Sequence, residues 1–205
     1  MSIERKPIVI LGPTASGKSD SAMSAAMSNG NTEIVVCDAM QVYKRMDIGT
    51  AKPTLEDQQK IVHHCIDLVE PSARFTVSDY QIAARAAVAD IHTREKNVLV
   101  VAGTGLYLTS LIDDLSFPGE WPEIRRELQE EPDVNTLYRR LKALDPVAAA
   151  NIERSNRRRI ERALEVCMGS GKPFSDNAPG TGAYPDNGVV QIGLLWPRDV
   201  LVKRV

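Results

Sequence analysis

Short apolar runs rich in β-branched residues recur along the first half of the chain, and they predict buried strands. The clearest runs span residues 8–11, 34–36 and 98–101, and each leads into a polar or glycine-containing turn. Uninterrupted apolar runs of this length are typical of parallel strands that are covered on both faces. Residues 17–28 and 78–94 have helical spacing and alternate with these runs. The pattern predicts an α/β fold with a parallel sheet and flanking helices, in which ligands bind at the carboxyl ends of the strands.

The pattern changes after about residue 116, where helical spacing replaces the strand runs. We therefore expect an α/β core formed by residues 1–115 and about 154–205, with a small helical insertion at about 116–153. The later predicted elements are helices at 125–131, 135–144 and 155–168, a loop at 174–188 and a strand at 189–195.

The first predicted strand runs directly into GPTASGKS, which matches the phosphate-binding pattern G-x-x-x-x-G-K-[ST] in full. Glycines let backbone N–H groups approach phosphate oxygens, and the following helix N-terminus adds a favourable dipole. Lys18 supplies a positive charge, and the Ser19 hydroxyl is the usual Mg²⁺ contact. The sequence predicts a P-loop NTPase-like fold that binds a phosphorylated ligand with Mg²⁺ as cofactor. The phosphate-binding residues are Gly12, Pro13, Thr14, Ala15, Ser16, Gly17, Lys18 and Ser19.

The position of the acidic residue indicates how the bound phosphates are used. Nucleotide hydrolysis usually requires an acid at the end of a neighbouring strand to hold the metal, but the run at 98–101 leads into Ala102 and Gly103. Asp38 instead follows the run at 34–36, where it can take a proton from a nucleophile that attacks a phosphorylated ligand. The alternative interpretation is that Asp38 only caps the next turn.

Arginines between residues 154 and 162 form the most basic stretch of a chain whose formal net charge is -2. On a helix, Arg154, Arg158 and Arg162 would share one face, while Ile160 and Leu164 would face the core. Such a face can bind RNA phosphates. It can equally be a solvated surface on which the arginines pair with neighbouring glutamates.

Cysteines and histidines show no metal-binding spacing. Cys37, Cys65 and Cys167 are far apart, and the adjacent His63 and His64 have no third ligand nearby, so we expect free thiols, a reducing cytoplasm and structural histidines. The N-terminal segment contains no apolar stretch as long as a signal peptide or a membrane span requires. We expect a cytoplasmic monomer with no membrane partner.

Five sets of motifs occur in an order that is highly specific. Together they resemble the tRNA dimethylallyltransferases, also called tRNA isopentenyltransferases. The resemblance is strong over about residues 7–115, weak over 116–150 and clear again over 154–175. The motifs are GPTASGKS at 12–19, CDAMQVY at 37–43 followed by MDIGTAKP at 46–53, HHCID at 63–67, GTGLY at 103–107 and RRRIERALEV at 157–166.

The resemblance implies that the phosphate loop binds the pyrophosphate of dimethylallyl diphosphate, assisted by Mg²⁺, and that this pyrophosphate leaves. The acceptor would be the N6 amine of the adenosine 3′-adjacent to the anticodon, in tRNAs that read U-initial codons. Asp38 would be the base, Thr104 would position the amine and the diphosphate, and Lys18 would stabilise the leaving group. Contacts with the tRNA anticodon stem-loop are implied for Asp38, Ala39, Met40, Gln41, Thr104, Arg126, Arg158, Arg159 and Arg162.

The chain departs from the family pattern at several positions. Ala39 replaces a serine, Thr109 a basic residue and Arg45 a glycine, and family members typically continue well beyond the position of residue 205. We therefore expect a short or C-terminally truncated member with a lower affinity for tRNA. The other hypotheses are a prenyltransferase acting on free adenine nucleotide, a small-molecule P-loop kinase, and an inactive remnant that binds diphosphate or RNA.

Overall fold

A computed structural model describes residues 6–113, 115, 117–177 and 187–204. The chain divides into two compact units, one formed by Met1–Leu115 with Pro185–Val205 and the other by Ser116–Tyr184. The strands are β1 (Ile8–Leu11), β2 (Thr32–Cys37), β3 (His63–His64), β4 (Asn97–Ala102) and β5 (Val190–Gly193). The helices are α1 (Lys18–Asn29), α2 (Leu55–Lys60), α3 (Val77–Thr93), α4 (Gly105–Ile112), α5 (Pro122–Glu130), α6 (Val134–Leu144), α7 (Pro146–Asn151), α8 (Arg157–Ser170) and α9 (Arg198–Val202).

The first unit is built on a parallel sheet with the strand order β3-β2-β4-β1-β5. The three predicted apolar runs are its β1, β2 and β4, which lie side by side at its centre. This arrangement confirms the predicted α/β fold class. The carboxyl ends of these central strands bring the phosphate loop, Asp38 and Gly103 to the same edge of the sheet, because parallel strands end together.

The central strands are buried on both faces, as their continuous apolar sequence predicts. Val9, Val35 and Val100 belong to the core cluster that includes Tyr80 and Ala84 of α3. Their sequence neighbours point the other way and join Ala22 and Ala26 of α1 in a second cluster, because successive side chains of a strand face opposite sides. That second cluster contains the strand residues Ile10, Ile34, Val36 and Leu99.

The second unit is a set of packed helices with a separate core. Leu128 of α5, Leu137 and Leu141 of α6, and Ile160 and Leu164 of α8 are all fully buried there. The prediction that Ile160 and Leu164 face a core is therefore confirmed. Because these two side chains bury against α5 and α6, α8 belongs to the helical unit, which extends to residue 184 and not to the expected boundary at about 153.

Several short elements were not predicted from the sequence, namely α2, α4, α7 and β3. Part of the predicted loop at 174–188 forms a short 3₁₀ helix over Phe174–Asn177, and its residues 178–186 lie outside the described residues. Cys37, Cys65 and Cys167 are free and buried, and burial raises the pKa of Cys37 to about 12. Among the described residues, no helix combines the length and the apolar character needed to cross a membrane.

Candidate functional site at the phosphate loop

The loop between β1 and α1 has the backbone shape of an anion-binding site. Gly17, which precedes the first residue of α1, has a φ of 87°, a left-handed conformation that glycine adopts at little cost. The loop thereby turns directly into the N-terminus of α1, where unpaired N–H groups and the helix dipole favour negative charge. Ser16 is 3% exposed, yet its Oγ has no hydrogen-bond partner within the described part of the chain. An anionic ligand in the loop would satisfy such a donor.

Lys18 contributes the positive charge of the loop. Its Nζ donates a hydrogen bond to the carbonyl oxygen of Pro13, 2.8 Å away, so the ammonium group folds back over the loop. Burial lowers the pKa of Lys18, and the nearby carboxylate of Asp38 opposes this effect. Binding of a phosphorylated ligand would stabilise the charged form, since an anion close to an amine favours its protonation.

The Asp38 carboxylate has one oxygen anchored and the other placed close to a glycine. Oδ1 accepts hydrogen bonds from the N–H groups of Met40 at 2.8 Å and Gln41 at 3.2 Å, so the turn-capping interpretation of Asp38 is correct as far as this oxygen goes. Oδ2 lies so near Gly103 that a Cβ added there would be 2.7 Å from it. Only glycine leaves room for the carboxylate at this distance.

Backbone hydrogen bonds join the turns that follow β2 and β4. The N–H groups of Gly103 and Thr104 both donate to the Cys37 carbonyl, at 2.9 and 3.1 Å. The Thr104 hydroxyl in turn accepts a hydrogen bond from the N–H of Ala39 at 3.1 Å. The two turns are therefore held as one unit, and Thr104 fixes the chain immediately after Asp38.

A cleft of about 900 Å³ runs along this edge of the first unit. The residues that line it include six of the eight predicted phosphate-binding residues, from Thr14 to Ser19, together with Asp38, Gln41 and Gly103. Gln41 is 9% exposed and its Nε2 donates to the carbonyl oxygens of Thr50 and Ala51, at 3.0 and 3.4 Å. Its Oε1 has no hydrogen-bond partner among the described residues. The cleft thus combines anion-binding groups, a carboxylate and a glutamine whose buried amide oxygen has no partner within the described ranges.

Two cationic residues that were not singled out from the sequence also line the cleft, Lys52 and Arg204. Arg204 follows α9; its Nε donates to the carbonyl oxygen of Ala15 at 2.8 Å, and its guanidinium lies 4.9 Å from the ring centre of Trp196. Trp196 Nε1 donates to the Ser16 carbonyl at 2.9 Å. The segment after β5 therefore packs on the phosphate loop. The sequence contains this arginine, but no local pattern indicates that the segment after β5 packs on the loop.

Among the residues implied as tRNA contacts, Gln41 and Asp38 line the cleft, while Ala39, Met40 and Thr104 stand in the adjoining turns. The arginines belong to the second unit. Arg158 and Arg159 are exposed, and Arg126 forms an ion pair with Glu123 at 2.6 Å. Arg162 points inward: its Nη2 donates to the Pro118 carbonyl at 3.0 Å and its Nη1 lies 3.1 Å from Glu165.

The prediction that Arg154, Arg158 and Arg162 share a helix face is wrong. Asn156 caps α8 by accepting a hydrogen bond from the Arg159 N–H, so the helix begins at Arg157 and Arg154 lies outside it. Arg154 instead places its guanidinium 5.1 Å from the ring centre of Tyr138. The alternative interpretation, in which arginines pair with neighbouring glutamates, holds for Arg157 with Glu161 and for Arg162 with Glu165.

The adjacent histidines are hydrogen-bonding residues, as expected. His63 Nδ1 lies 2.8 Å from the Ile61 carbonyl, and His64 Nε2 lies 2.7 Å from the buried carboxylate of Glu33. Within the described ranges, no cluster of three or more His, Cys, Asp or Glu side chains is arranged to hold a metal ion.

Comparison with known proteins identifies the family. The model of the family described as IPP transferase matches residues 41–205. The chain belongs to the IPP transferase family. It is 43% identical over 208 residues to a tRNA dimethylallyltransferase of Bifidobacterium adolescentis, covering 98% of this chain and 61% of that protein. It is also 43% identical over 204 residues to a tRNA dimethylallyltransferase of Geobacter metallireducens, covering 97% of this chain and 65% of that protein.

Solved structures of related proteins share the fold of this IPP transferase family member. A full-length tRNA isopentenylpyrophosphate transferase from Bacillus halodurans aligns with 37% identity and a TM-score of 0.62, over 98% of this chain and 63% of that one. A eukaryotic dimethylallyltransferase acting on tRNA aligns with 28% identity and a TM-score of 0.85, over 98% of this chain and 51% of that one. The chain thus spans less than two thirds of the length of these relatives, and the family resemblance seen in its motifs is confirmed.

Proposed function

We propose that this chain carries the catalytic site of a tRNA dimethylallyltransferase. The site transfers a dimethylallyl group from dimethylallyl diphosphate to N6 of the adenosine 3′-adjacent to the anticodon, in tRNAs that read U-initial codons, and releases pyrophosphate. The observation that carries the proposal is the cleft in which the phosphate loop, Lys18 and Asp38 face one another. The names of the related proteins support a dimethylallyl group as the group transferred and tRNA as its acceptor.

The reaction breaks the bond between C1 of the dimethylallyl group and its phosphate oxygen, and that oxygen keeps the electron pair. Negative charge develops on pyrophosphate, where Lys18 and the N–H groups at the start of α1 stabilise it. A bond forms between C1 and N6, and the proton released by N6 passes to the carboxylate of Asp38. Because Oδ1 is held by two N–H groups, Oδ2 is the oxygen available as the base.

The oxygen donors of the cleft fit Mg²⁺ as a cofactor. Mg²⁺ keeps several water ligands and is usually bound by one or two protein oxygens together with substrate phosphates. The Ser19 hydroxyl lines the cleft beside the phosphate loop and would hold the ion. When bound, the ion would neutralise part of the charge that develops on pyrophosphate.

The sheet order favours transfer of this kind over phosphoryl transfer by a kinase. β4, which lies next to β1, leads into Gly103 without an acid, and Asp38 follows β2, one strand further away. In a kinase the acid is expected on a strand that can hold the metal at the phosphate loop.

The second unit is proposed to contact tRNA phosphates through its exposed arginines, Arg158 and Arg159. Replacing both by glutamate would weaken tRNA binding and flatten its salt dependence, because fewer counterions would be released on binding. Pyrophosphate affinity would stay unchanged. We also expect the protein to act in the cytoplasm as a monomer.

The test is to incubate the purified chain with Mg²⁺, dimethylallyl diphosphate and an unmodified tRNA that reads a U-initial codon, and then to measure nucleoside masses after digestion. Adenosine should gain one dimethylallyl group. Asp38→Asn should lose the product but still bind pyrophosphate. Glu56→Gln, which removes an exposed carboxylate that does not line the cleft, is the matched control and should behave like the unaltered chain.

The outcomes separate the competing functions. Transfer to AMP but not to tRNA would replace the proposal with a free-nucleotide prenyltransferase. Pyrophosphate binding without transfer to either acceptor would leave a binding remnant and overturn the proposal.

A further inference from the structure

Lys52 is the most deeply buried cation that lines the cleft. Its side chain is 2% exposed, and Nζ uses all three of its hydrogens: it donates to the Tyr43 carbonyl at 2.8 Å, to Asp47 at 2.8 Å and to Asp67 at 2.6 Å. Burial would lower the pKa of Lys52, but its hydrogen bonds and proximity to the two carboxylates outweigh this and raise it. The ammonium group is therefore charged and fully engaged by the protein, and it has no hydrogen left for a ligand.

The three acceptors of Lys52 come from two segments, residues 41–52 and 65–69, and the first of these segments lines the cleft through Gln41, Thr50, Ala51 and Lys52. Backbone bonds run between the same segments: Asp67 N–H donates to the Gln41 carbonyl at 3.1 Å, and Leu68 N–H donates to the Val42 carbonyl at 2.7 Å. Lys52 thus adds side-chain hydrogen bonds to the backbone hydrogen bonds that already join the segments.

The backbone of these segments is strained where Lys52 joins them. Four residues other than glycine have φ in the left-handed region, where each costs on the order of 1 kcal/mol. Such conformations persist when the surrounding contacts over-determine them, and they cluster at functional sites. The four residues are Arg45 at 61°, Ala51 at 50°, Cys65 at 64° and Asp67 at 52°.

The segment held in this way carries Gln41. The Gln41 amide is fixed because its Nε2 donates to the carbonyls of Thr50 and Ala51, the residues directly before Lys52. Its Oε1 is buried and has no partner among the described residues, and Gln41 is one of the residues that line the cleft. An acceptor atom held rigidly in this way can select a ligand that presents an N–H group, since an unpaired buried acceptor is costly.

We propose that Lys52 is a positioning residue that acts through Gln41, holding its amide oxygen where it accepts a hydrogen bond from the acceptor base. The inference rests on the proposed function for the identity of that base. The coupling between Lys52 and Gln41 can be measured without transfer activity. Lys52 does not touch the substrates, so its loss should affect recognition of the acceptor and leave the phosphate loop intact.

Lys52→Met tests this role with little risk to the fold. Methionine has a similar length, and the two carboxylates that lose their partner are 63% and 40% exposed, so water can solvate them. Asp67→Asn is a second variant that keeps Lys52 and removes one of its charged partners. It should shift every readout in the same direction by a smaller amount.

The first readout is steady-state and binding analysis. Lys52→Met should lower kcat/KM for the RNA acceptor by about tenfold, the size expected for losing one oriented hydrogen bond. The dissociation constant of pyrophosphate should not change. In a Gln41→Ala background, Lys52→Met should lower kcat/KM by less than about twofold, because the effects of two residues that act as a unit are not additive. Full additivity of the two substitutions, or a parallel loss of pyrophosphate binding, would overturn the proposal.

The second readout is NMR of the side-chain amide of Gln41, assigned by its absence in Gln41→Ala. In the unaltered chain this NH₂ group should exchange slowly with solvent, and in Lys52→Met it should exchange quickly and shift towards free glutamine. Unchanged exchange would overturn the proposal even if the chain proved inactive on tRNA. A chain that shows the NMR effect but no transfer would instead contradict the proposed function and leave the Lys52–Gln41 coupling established.

Discussion

Gly103→Ala is a direct test of how closely the Asp38 carboxylate is placed. The added Cβ would lie 2.7 Å from Oδ2 and 3.7 Å from Cγ of Asp38, whereas ordinary contacts begin at 3.4 Å. The carboxylate must therefore retreat by about 0.7 Å, or rotate about its anchored oxygen. Because Oδ1 is bonded to the N–H groups of Met40 and Gln41, the retreat falls mainly on Oδ2, the oxygen proposed as the base.

A displacement of this size should reduce the transfer rate strongly and the stability of the fold only slightly. A misplacement of about 1 Å can reduce a rate by on the order of 10²-fold. We expect the single-turnover transfer rate of Gly103→Ala to fall by roughly 30- to 100-fold on the same basis. The backbone of Gly103 is not in the left-handed region, so alanine fits its conformation, and the melting temperature should change little.

The matched control is Gly105→Ala, two residues along, where an added Cβ would meet nothing within 4 Å. Rapid-quench measurement of prenylated adenosine gives the rate, and calorimetry with pyrophosphate reports on the phosphate loop. The reasoning is refuted if Gly103→Ala retains the rate of the unaltered chain, or if Gly105→Ala slows the reaction equally. It is also refuted if pyrophosphate affinity falls together with the rate, because the phosphate loop would then be the part disturbed.

Three further changes probe the charges that the structure buries or exposes. Glu33 is fully buried and accepts hydrogen bonds from Arg94, Lys96 and His64, which hold its pKa well below the ordinary 4.5. Glu33→Gln should therefore lower the free energy of unfolding by about 3–5 kcal/mol at pH 7. The stabilisation is present above pH 4.5 and is lost as pH falls towards the lowered pKa, so urea titrations of variant and unaltered chain should converge in acid; a constant difference would contradict this. Glu165→Gln should reduce amide protection in α8, since the fully buried carboxylate accepts from Arg125 and from the Trp121 N–H at 2.8 Å; unchanged hydrogen exchange would contradict it. Arg204→Met should weaken pyrophosphate binding about tenfold by calorimetry, because a charge-assisted donor beside the loop is lost, while the exposed Arg198→Met should not.

The central strands were predictable because strands buried on both faces have continuous apolar sequences. β3 was not, since its two residues are both histidines and their strand conformation follows from pairing with Ile34 and Val35. α4 also escaped prediction. Its buried Tyr107 and Leu108 and the partly buried Leu111 and Ile112 lie at helical spacing, but eight residues are too few for this periodicity to distinguish a helix.

The phosphate loop and Asp38 could be placed in one site from the sequence because parallel strands end at the same edge. Lys52 could not be placed in the site from the sequence, because its role depends on a contact with Asp67, 15 positions further along the chain. Arg204 reaches the phosphate loop only because β5 pairs with β1, which brings the end of the described chain back to its beginning. Contacts of this kind follow from topology, which local patterns do not encode.

The arginine-rich stretch shows why counting charges overstates a binding surface. The guanidinium of Arg157 donates to carbonyl oxygens at the end of α5, including those of Gln129 and Glu131, and so satisfies groups that the helix leaves unpaired. Arg162 is turned towards Pro118 and Glu165. Both arginines therefore support the second unit, and Arg158 and Arg159 are the exposed cations that α8 still offers to a polyanion. A charge reversal at these two positions should thus weaken tRNA binding without the loss of stability that the same change at Arg157 or Arg162 would cause.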